Sequence, residues 1–353
     1  MAFAEAVKAK FSPPPLSSSQ GHPAWGHGYG GGLLDTRGGG LLPANAVARG
    51  HRGRPHGSVL QLAVGCGVAL FLVFTVYKTH VLEGRASALA VDGRRMGPQD
   101  EDERLQPSVR HPFPQLRNLV VVAGHSVFVG SNFADAMAPE NWYLEPYQQV
   151  PGQVESFVQH IQLGVQAAAE DPTALLLFSG GQTRLVAGTR SEGASYWGVA
   201  DALQWFDHPE VKGRTALEEA ARDSFENVAF SLCRFHQLTG HYPDTYTVVS
   251  YDFKRWRFTE LHRAALHFPA ERFFFVGTPA LSPRAAAEGE AATLERFKSD
   301  PYGCRGELRA KREGRNPFAV VASYGGGGEC PEMRGILRHC GGRAYAGRLP
   351  WQS

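Results

Sequence analysis

Polar residues and glycines follow four apolar runs of this chain, and their types suit the binding of an anion. One of these runs, residues 174–178, ends in Ser179, Gly180 and Gly181. Because the carboxyl ends of parallel strands meet at one edge of a sheet, the residues after each run are expected to lie close together. The residues that follow the other runs, or that open the intervening helices, are Gly124, His125, Glu192, Glu226, Asn227, Asp252, Lys254 and Arg255.

The chemistry of this set is anion binding combined with proton transfer. Glycine turns present backbone N–H groups and basic side chains supply positive charge, so both favour a phosphate or another anion. Carboxylates beside them can act as acid or base, and we assign that role to Glu192, Glu226 and Asp252. The predicted ligand-binding residues are Gly124, His125, Ser179, Gly180, Gly181, Asn227, Lys254 and Arg255.

Each of these residues also has a purely structural explanation. Ser191 and Glu192 could simply begin a helix, as could Asp223 with Ser224, and the basic residues at 254–257 could form a solvated helix face. Taken one at a time, the structural explanation is favoured. Their coincidence after four separate runs favours a shared site.

Several well-known sites are missing from the sequence. There is no G-x-G-x-x-G after the first predicted strand, no Walker sequence, no G-x-S-x-G turn and no His/Cys spacing typical of a metal site. We therefore predict no metal, leave the cofactor open, and interpret Ser179 as a hydrogen-bonding residue rather than a nucleophile. The net charge of +2 and the lack of a nucleic-acid-binding motif argue against nucleic acid as a partner.

Apolar runs alternate with segments of helical periodicity, which indicates an α/β protein. We predict a Rossmann-like, doubly wound and mainly parallel sheet of about five strands, preceded by a single transmembrane helix. The predicted strands are residues 118–123, 174–179, 214–217, 246–250 and 272–276. The predicted helices are residues 153–169, 191–206, 223–238 and 257–266.

The chain divides into five segments by composition. Residues 57–77 carry no charged side chain and are long enough to span a bilayer; a buried helix or a cleaved signal peptide is less consistent with their position. The Lys/Arg counts on the two sides are level, so a type II single-pass topology in the endomembrane system is only a preference. The predicted segments are a disordered Gly/Pro-rich tail (1–56), the transmembrane helix (57–77), a charged stalk (78–116), the Rossmann-like domain (117–283) and a C-terminal helical and irregular extension (284–353).

The cysteines leave the compartment open. Cys330 and Cys340 could form a disulfide if the domain is lumenal, and free thiols are an equally good interpretation.

The order of the motifs resembles a known family over residues 117–280. The motifs are Gly124-His125, Ser179-Gly180-Gly181, Ser191-Glu192, Ser224-Phe225-Glu226-Asn227 and Ser250 with Asp252, Lys254 and Arg255. Together they resemble the YdcF/SanA/ElyC-like family, known as domain of unknown function 218, and the whole chain resembles a fungal membrane-anchored branch of it. The resemblance implies a Rossmann-like fold, an enzymatic role, and a connection of the bacterial members with envelope integrity and lipid-carrier metabolism.

Two functions are consistent with these features. The first is a membrane-anchored enzyme that acts on a phosphorylated, nucleotide-like or lipid-linked small molecule. The alternative is a non-catalytic, membrane-tethered module that binds a ligand or a protein. The lipid bilayer and a phosphate-bearing small molecule are the expected partners in either case.

Overall fold

A sheet of five parallel strands forms the centre of the protein. The computed structural model describes residues 111–325 and 329–352. The strand order is β3-β2-β1-β4-β5, which is the order of a Rossmann-like sheet. The α/β class and the parallel five-stranded sheet predicted from the sequence are confirmed. The strands are β1 (Asn118–Ala123), β2 (Ala174–Ser179), β3 (Thr215–Glu218), β4 (Tyr246–Tyr251) and β5 (Phe273–Thr278).

Continuous apolar runs form the middle strands because both faces of the sheet are covered. Val121 of β1 pairs with Leu177 of β2 on one side and with Val248 of β4 on the other. All six residues of β2 and of β4 are buried. A strand buried on both faces has no polar alternation, which is why its sequence reads as one apolar block.

A helix follows each of the five strands, and two of the predicted helices differ from those in the structure. Predicted helix 191–206 ends at Ala202, because residues 204–207 adopt positive φ angles and turn Trp205 into the core. Predicted helix 257–266 begins as a π-helical segment, Arg257–His262. The α-helices are α1 (Gln153–Glu170), α2 (Glu192–Ala202), α3 (Ser224–Thr239), α4 (Arg263–Ala265), α5 (Pro283–Ser299), α6 (Gly306–Gly314) and α7 (Arg334–Arg338).

The two faces of the sheet pack against different parts of the chain. On one face, α1 lies so close that a Cβ on Gly164 would touch Val122 and Leu176. On the other face, Val121 and Leu177 belong to a core that includes α3 and much of the chain after β5. Successive side chains of a strand point to opposite faces of the sheet. Neighbouring residues of one strand therefore contact the helices on opposite sides of the sheet.

The C-terminal part of the chain packs into the same core as the sheet. Phe297, Met333 and Trp351 are buried there. Two disulfides, Cys233–Cys330 and Cys304–Cys340, join this part to α3 and to itself. The predicted Cys330–Cys340 pair is therefore wrong, as is the alternative of free thiols, because α3 brings Cys233 next to Cys330.

The predicted tail, the predicted membrane span at residues 57–77 and nearly all of the predicted stalk lie outside the described residues. Among the helices that are described, none combines the length and the apolar character needed to cross a bilayer.

Candidate functional site

A cavity of about 530 Å³ lies at the carboxyl edge of the sheet. It opens where β1 and β4 are neighbours, the point at which the chain reverses its direction of strand addition, and ligands of open α/β sheets bind there. Five of the predicted site residues line it: Gly124, His125, Glu192, Asn227 and Lys254.

His125 connects the ends of the two central strands. Its Nε2 lies 3.2 Å from Ser250 Oγ and its Nδ1 lies 3.3 Å from Lys254 Nζ. Lys254 can only donate, so Nδ1 accepts and Nε2–H donates to Ser250. Burial, followed by the charge of Lys254, holds the pKa of His125 well below its usual value. A neutral imidazole is therefore the form that faces the cavity.

Lys254 is a partly buried cation among other cations. Burial and the neighbouring Arg257 lower the pKa of Lys254 to about 7. Its ammonium group also lies over the rings of Tyr251 and Phe253, 5.2 Å and 5.6 Å from their centroids. An ammonium group with a pKa near neutrality can bind an anion and can also exchange a proton.

Glu192 enters the cavity through a gap made by two glycines. It opens α2, and Thr183 Oγ1 donates to its Oε1 over 2.5 Å. A Cβ on Gly124 or on Gly180 would lie only 2.6 Å or 2.8 Å from Glu192 Cβ, and 2.8 Å from Oε2 in both cases. These two glycines therefore leave room for a carboxylate side chain.

This close approach gives a stability test. We expect Gly124→Ala to lower the free energy of unfolding by about 1–3 kcal/mol, because the new methyl group overlaps Glu192. The loss should be smaller in a Glu192→Gly background. Gly213→Ala is the control, since a Cβ there meets nothing within 4 Å. Urea unfolding of the four variants measures the coupling; equal losses in both backgrounds contradict the assignment.

The predicted anion cradle at 179–181 is wrong. The N–H groups of Gly180 and Gly181 donate to Glu218 O and Ala221 O, at 2.9 Å and 2.7 Å. The N–H of Gly124 likewise donates to Ser179 O at 2.8 Å. These amides are used inside the fold, so they are not free to hold a ligand.

Ser179 belongs to a buried chain of hydrogen bonds beneath the cavity. Asn227 Nδ2 donates to Ser179 Oγ over 2.9 Å, and Ser179 Oγ donates to Glu218 Oε2 over 2.7 Å. Burial raises the pKa of Glu218 to about 7. The prediction that Ser179 is a hydrogen-bonding residue rather than a nucleophile agrees with this geometry, but its partner is the protein and not a ligand.

Glu218 should make stability pH-dependent. From pH 4.5, the ordinary pKa of this side chain, to about pH 7, the unfolded chain releases this proton while the folded protein keeps it. The free energy of unfolding therefore falls as pH rises. We expect Glu218→Gln to remove about 2–3 kcal/mol of that fall. Urea unfolding at pH 5 and pH 8 measures it, with exposed Glu170→Gln as control; an unchanged slope contradicts the assignment.

Three other predicted residues lie outside the cavity lining. Glu226 is held by Arg222 at 2.6 Å and Arg312 at 3.2 Å, and burial raises its pKa. Asp252 and Arg255 pair with each other at 2.5 Å, with side chains about half exposed. The structure thus places Glu226, Asp252 and Arg255 in ion pairs outside the cavity lining, and their acid–base and ligand-binding roles stay predictions.

The C-terminal helices supply site residues that the sequence analysis missed. Lys311 of α6 and Arg315, just after it, line the cavity. Burial and the neighbouring Arg315 lower the pKa of Lys311 to about 8. A charged helix after the last strand resembles a solvated surface, so its sequence gives no local signal that it reaches the cavity.

Most other charges of the cavity wall are already paired. Arg257 holds Glu290 through two contacts of 2.8 Å, and Arg312 holds Asp223 at 2.7 Å. Within residues 111–325 and 329–352, no carboxylate forms an ion pair with Lys254, Lys311 or Arg315. In this part of the chain the three cations of the cavity wall therefore form no ion pair, although Glu290 and Asp223 lie close enough to act electrostatically on Lys254 and Lys311.

The outer part of the cavity is apolar. Tyr147 is 71% exposed and Leu281 is 43% exposed, although both belong to the cavity wall. The other apolar residues of the cavity wall are Ala123, Val150, Ala221, Phe253, Phe258, Ala280, Ala285 and Ala286. A ligand would therefore meet Glu192 and Lys254 at the inner end, and exposed apolar surface together with Lys311 at the mouth.

No metal site accompanies this arrangement in the part of the chain that the structure describes. There, no group of three or more His, Cys, Asp or Glu side chains is placed to hold a metal ion.

Fold and site together define an α/β protein with a cation-lined cavity at the switch point of its sheet. No protein-family model matches the chain, and no solved structure matches it. The chain is similar to the uncharacterized protein YOR238W of Saccharomyces cerevisiae, with 26% identity over 262 residues. The match covers 58% of this chain and 86% of the yeast protein. The functional argument therefore comes from the site.

Proposed function

We propose that the protein is an enzyme that acts on a phosphorylated small molecule, either nucleotide-like or lipid-linked. One observation carries this proposal: Lys254, Lys311 and Arg315 face the cavity that also contains Glu192, and none of the three has a carboxylate partner among the described residues. Holding three unpaired cations around one cavity costs free energy because like charges repel one another. A bound phosphate offsets that cost.

The groups at the inner end suit proton transfer beside a bound phosphate. Glu192 is oriented by Thr183, and its carboxylate can accept or return a proton. Lys254 has a pKa near 7 and contacts the neutral His125, so it can exchange its proton near physiological pH. We propose that Glu192 and Lys254 form the acid–base pair, with Lys311 and Arg315 neutralising the phosphate charge.

We also propose that the protein belongs to the YdcF/SanA/ElyC-like family and is anchored by residues 57–77. The order of motifs and the parallel sheet support the first part. The uncharged apolar segment supports a single-pass anchor. Two disulfides favour an oxidising compartment for the folded domain, hence a type II topology in the endomembrane system.

A non-catalytic, membrane-tethered binding module is the second candidate. The ion pairs of Arg257 with Glu290 and of Arg312 with Asp223 support it, because they make the cavity wall rigid without adding reactive groups. A binding module and an enzyme would both use the cations to bind phosphate. Only the enzyme would also need Glu192, for turnover.

Comparing binding with turnover separates the two candidates. The wild type, Glu192→Gln and Lys254→Ala are tested for thermal stabilisation by inorganic phosphate and for conversion of a panel of phosphate esters. An enzyme converts at least one ester, Glu192→Gln binds phosphate without turnover, and Lys254→Ala loses both. Binding without any turnover supports the module. Unchanged phosphate binding in Lys254→Ala contradicts both proposals.

A further inference from the structure

A second, apolar groove adjoins the cation-lined cavity. The groove has a volume of about 750 Å³, and Val150 belongs to the walls of both. The segment around Val150 is fixed by its own hydrogen bonds, with Val150 N donating to Gln148 O and Gln153 N donating to Val150 O. A ligand bound in the cavity would reach the groove by lying across Val150.

The groove offers hydrocarbon surface and few polar contacts. Among the described residues, its polar lining consists of Glu140, Tyr143 and Gln149. Trp142 adds apolar surface only, because its Nε1 donates to Ala136 O over 2.8 Å. The apolar lining residues are Val129, Pro139, Trp142, Leu144, Val150, Pro151 and Val186.

The rim of the groove keeps apolar side chains in contact with water. Val186 is 78% exposed and Val129 is 43% exposed, and Leu185 beside the groove is 65% exposed. Exposed apolar residues that cluster around a concave site mark a surface that is covered by an apolar partner. Because the groove and the cavity share Val150 in their walls, the apolar part of the cavity's own ligand is the nearest candidate for this partner.

We propose that the ligand is an amphiphilic phosphate whose phosphate lies among Lys254, Lys311 and Arg315 and whose hydrocarbon chain lies in the groove past Val150. This inference rests on the proposed phosphate site and selects among its ligands. A nucleoside would need several hydrogen bonds for its base, and among the described residues the groove offers only Glu140, Tyr143 and Gln149 for them. A flexible alkyl or prenyl chain needs only apolar area.

Alkyl phosphates of increasing length test this directly. Methyl, butyl and octyl phosphate, each below its micellar concentration, are titrated into the protein. We expect the dissociation constant to fall roughly fourfold for each methylene group that enters the groove. Affinity that does not change with chain length overturns the inference, as does tighter binding of uridine or adenosine monophosphate than of octyl phosphate.

Variants at the rim of the groove test where the hydrocarbon chain of the ligand binds. We expect Val129→Ser with Val186→Ser to remove most of the gain with chain length and to leave methyl phosphate affinity unchanged. Val321→Ser, at an 88% exposed position that lines neither cavity, is the matched control. An undiminished gain in the double variant overturns the inference. The phosphate site is judged separately: if methyl phosphate binds and Lys254→Ala abolishes that binding, the proposed function stands even when chain length has no effect.

Discussion

Replacing Lys254 with methionine should weaken anion binding and at the same time stabilise the fold. The ammonium group is a buried, charge-assisted donor, and its loss should weaken binding by about 10- to 100-fold. Sulfate is the probe, because its charge is constant across the pH range. In the wild type, sulfate affinity should fall as pH rises through about 7, where Lys254 loses its proton.

Sulfate affinity falls as pH rises through about 7, whereas the free energy of unfolding of the wild type should rise with pH. The pKa of Lys254 is about 7 in the fold and 10.5 ordinarily. Between these values the unfolded chain holds the proton and the folded protein does not, so stability rises with pH; the cost of burying the charge is complete below pH 7. We expect Lys254→Met to gain about 1–3 kcal/mol at pH 6.

Lys212→Met provides the control for both measurements. Lys212 is half exposed and pairs with Asp201 at 2.6 Å, outside the cavity wall. It should change neither sulfate affinity nor its pH dependence. A Lys254→Met variant that binds sulfate like the wild type, or that unfolds more easily at pH 6, contradicts the assignment of Lys254 to an anion site.

Removing the Cys233–Cys330 disulfide should lower the free energy of unfolding by about 2–5 kcal/mol. The two cysteines are separated by 97 residues, so the bond restricts a long loop of the unfolded chain. Lys311 and Arg315 lie within that loop. We therefore expect Cys233→Ala with Cys330→Ala to weaken sulfate binding as well as stability.

The second disulfide gives the comparison. Cys304 and Cys340 are separated by 36 residues, and Cys340 is exposed. Cys304→Ala with Cys340→Ala should cost less, because a shorter loop loses less entropy when it is closed. Urea unfolding and sulfate titration of both double variants measure this. Equal stability of all three proteins would show that neither bond contributes to the fold.

The strands of the sheet could be predicted because each one is a short, continuous apolar run in the sequence. The apolar run before Ser179 and the run ending at Ala123 are buried on both faces, and each strand matches its prediction to within two residues. The left-handed turn at Trp205 could not be predicted in the same way. There the helical pattern continues to Phe206, and burial of Trp205 in the core overrides it.

The site was predictable in position but only partly in composition. His125, Glu192 and Lys254 follow strands or open a helix, so topology alone brings them together. Whether the amide of Gly181 is free depends on Ala221 O, far along the chain, and no local pattern reports that hydrogen bond. Lys311 reaches the cavity only because the C-terminal part folds back onto the core.

The division of the cavity's cations between two parts of the chain has a consequence for biosynthesis. Lys254 follows β4, whereas Lys311 and Arg315 follow α5. A nascent chain that has emerged from the ribosome only as far as β5 can pair all five strands but carries one of the three cations. The cavity therefore reaches its full positive charge only after α6 and Arg315 have been translated.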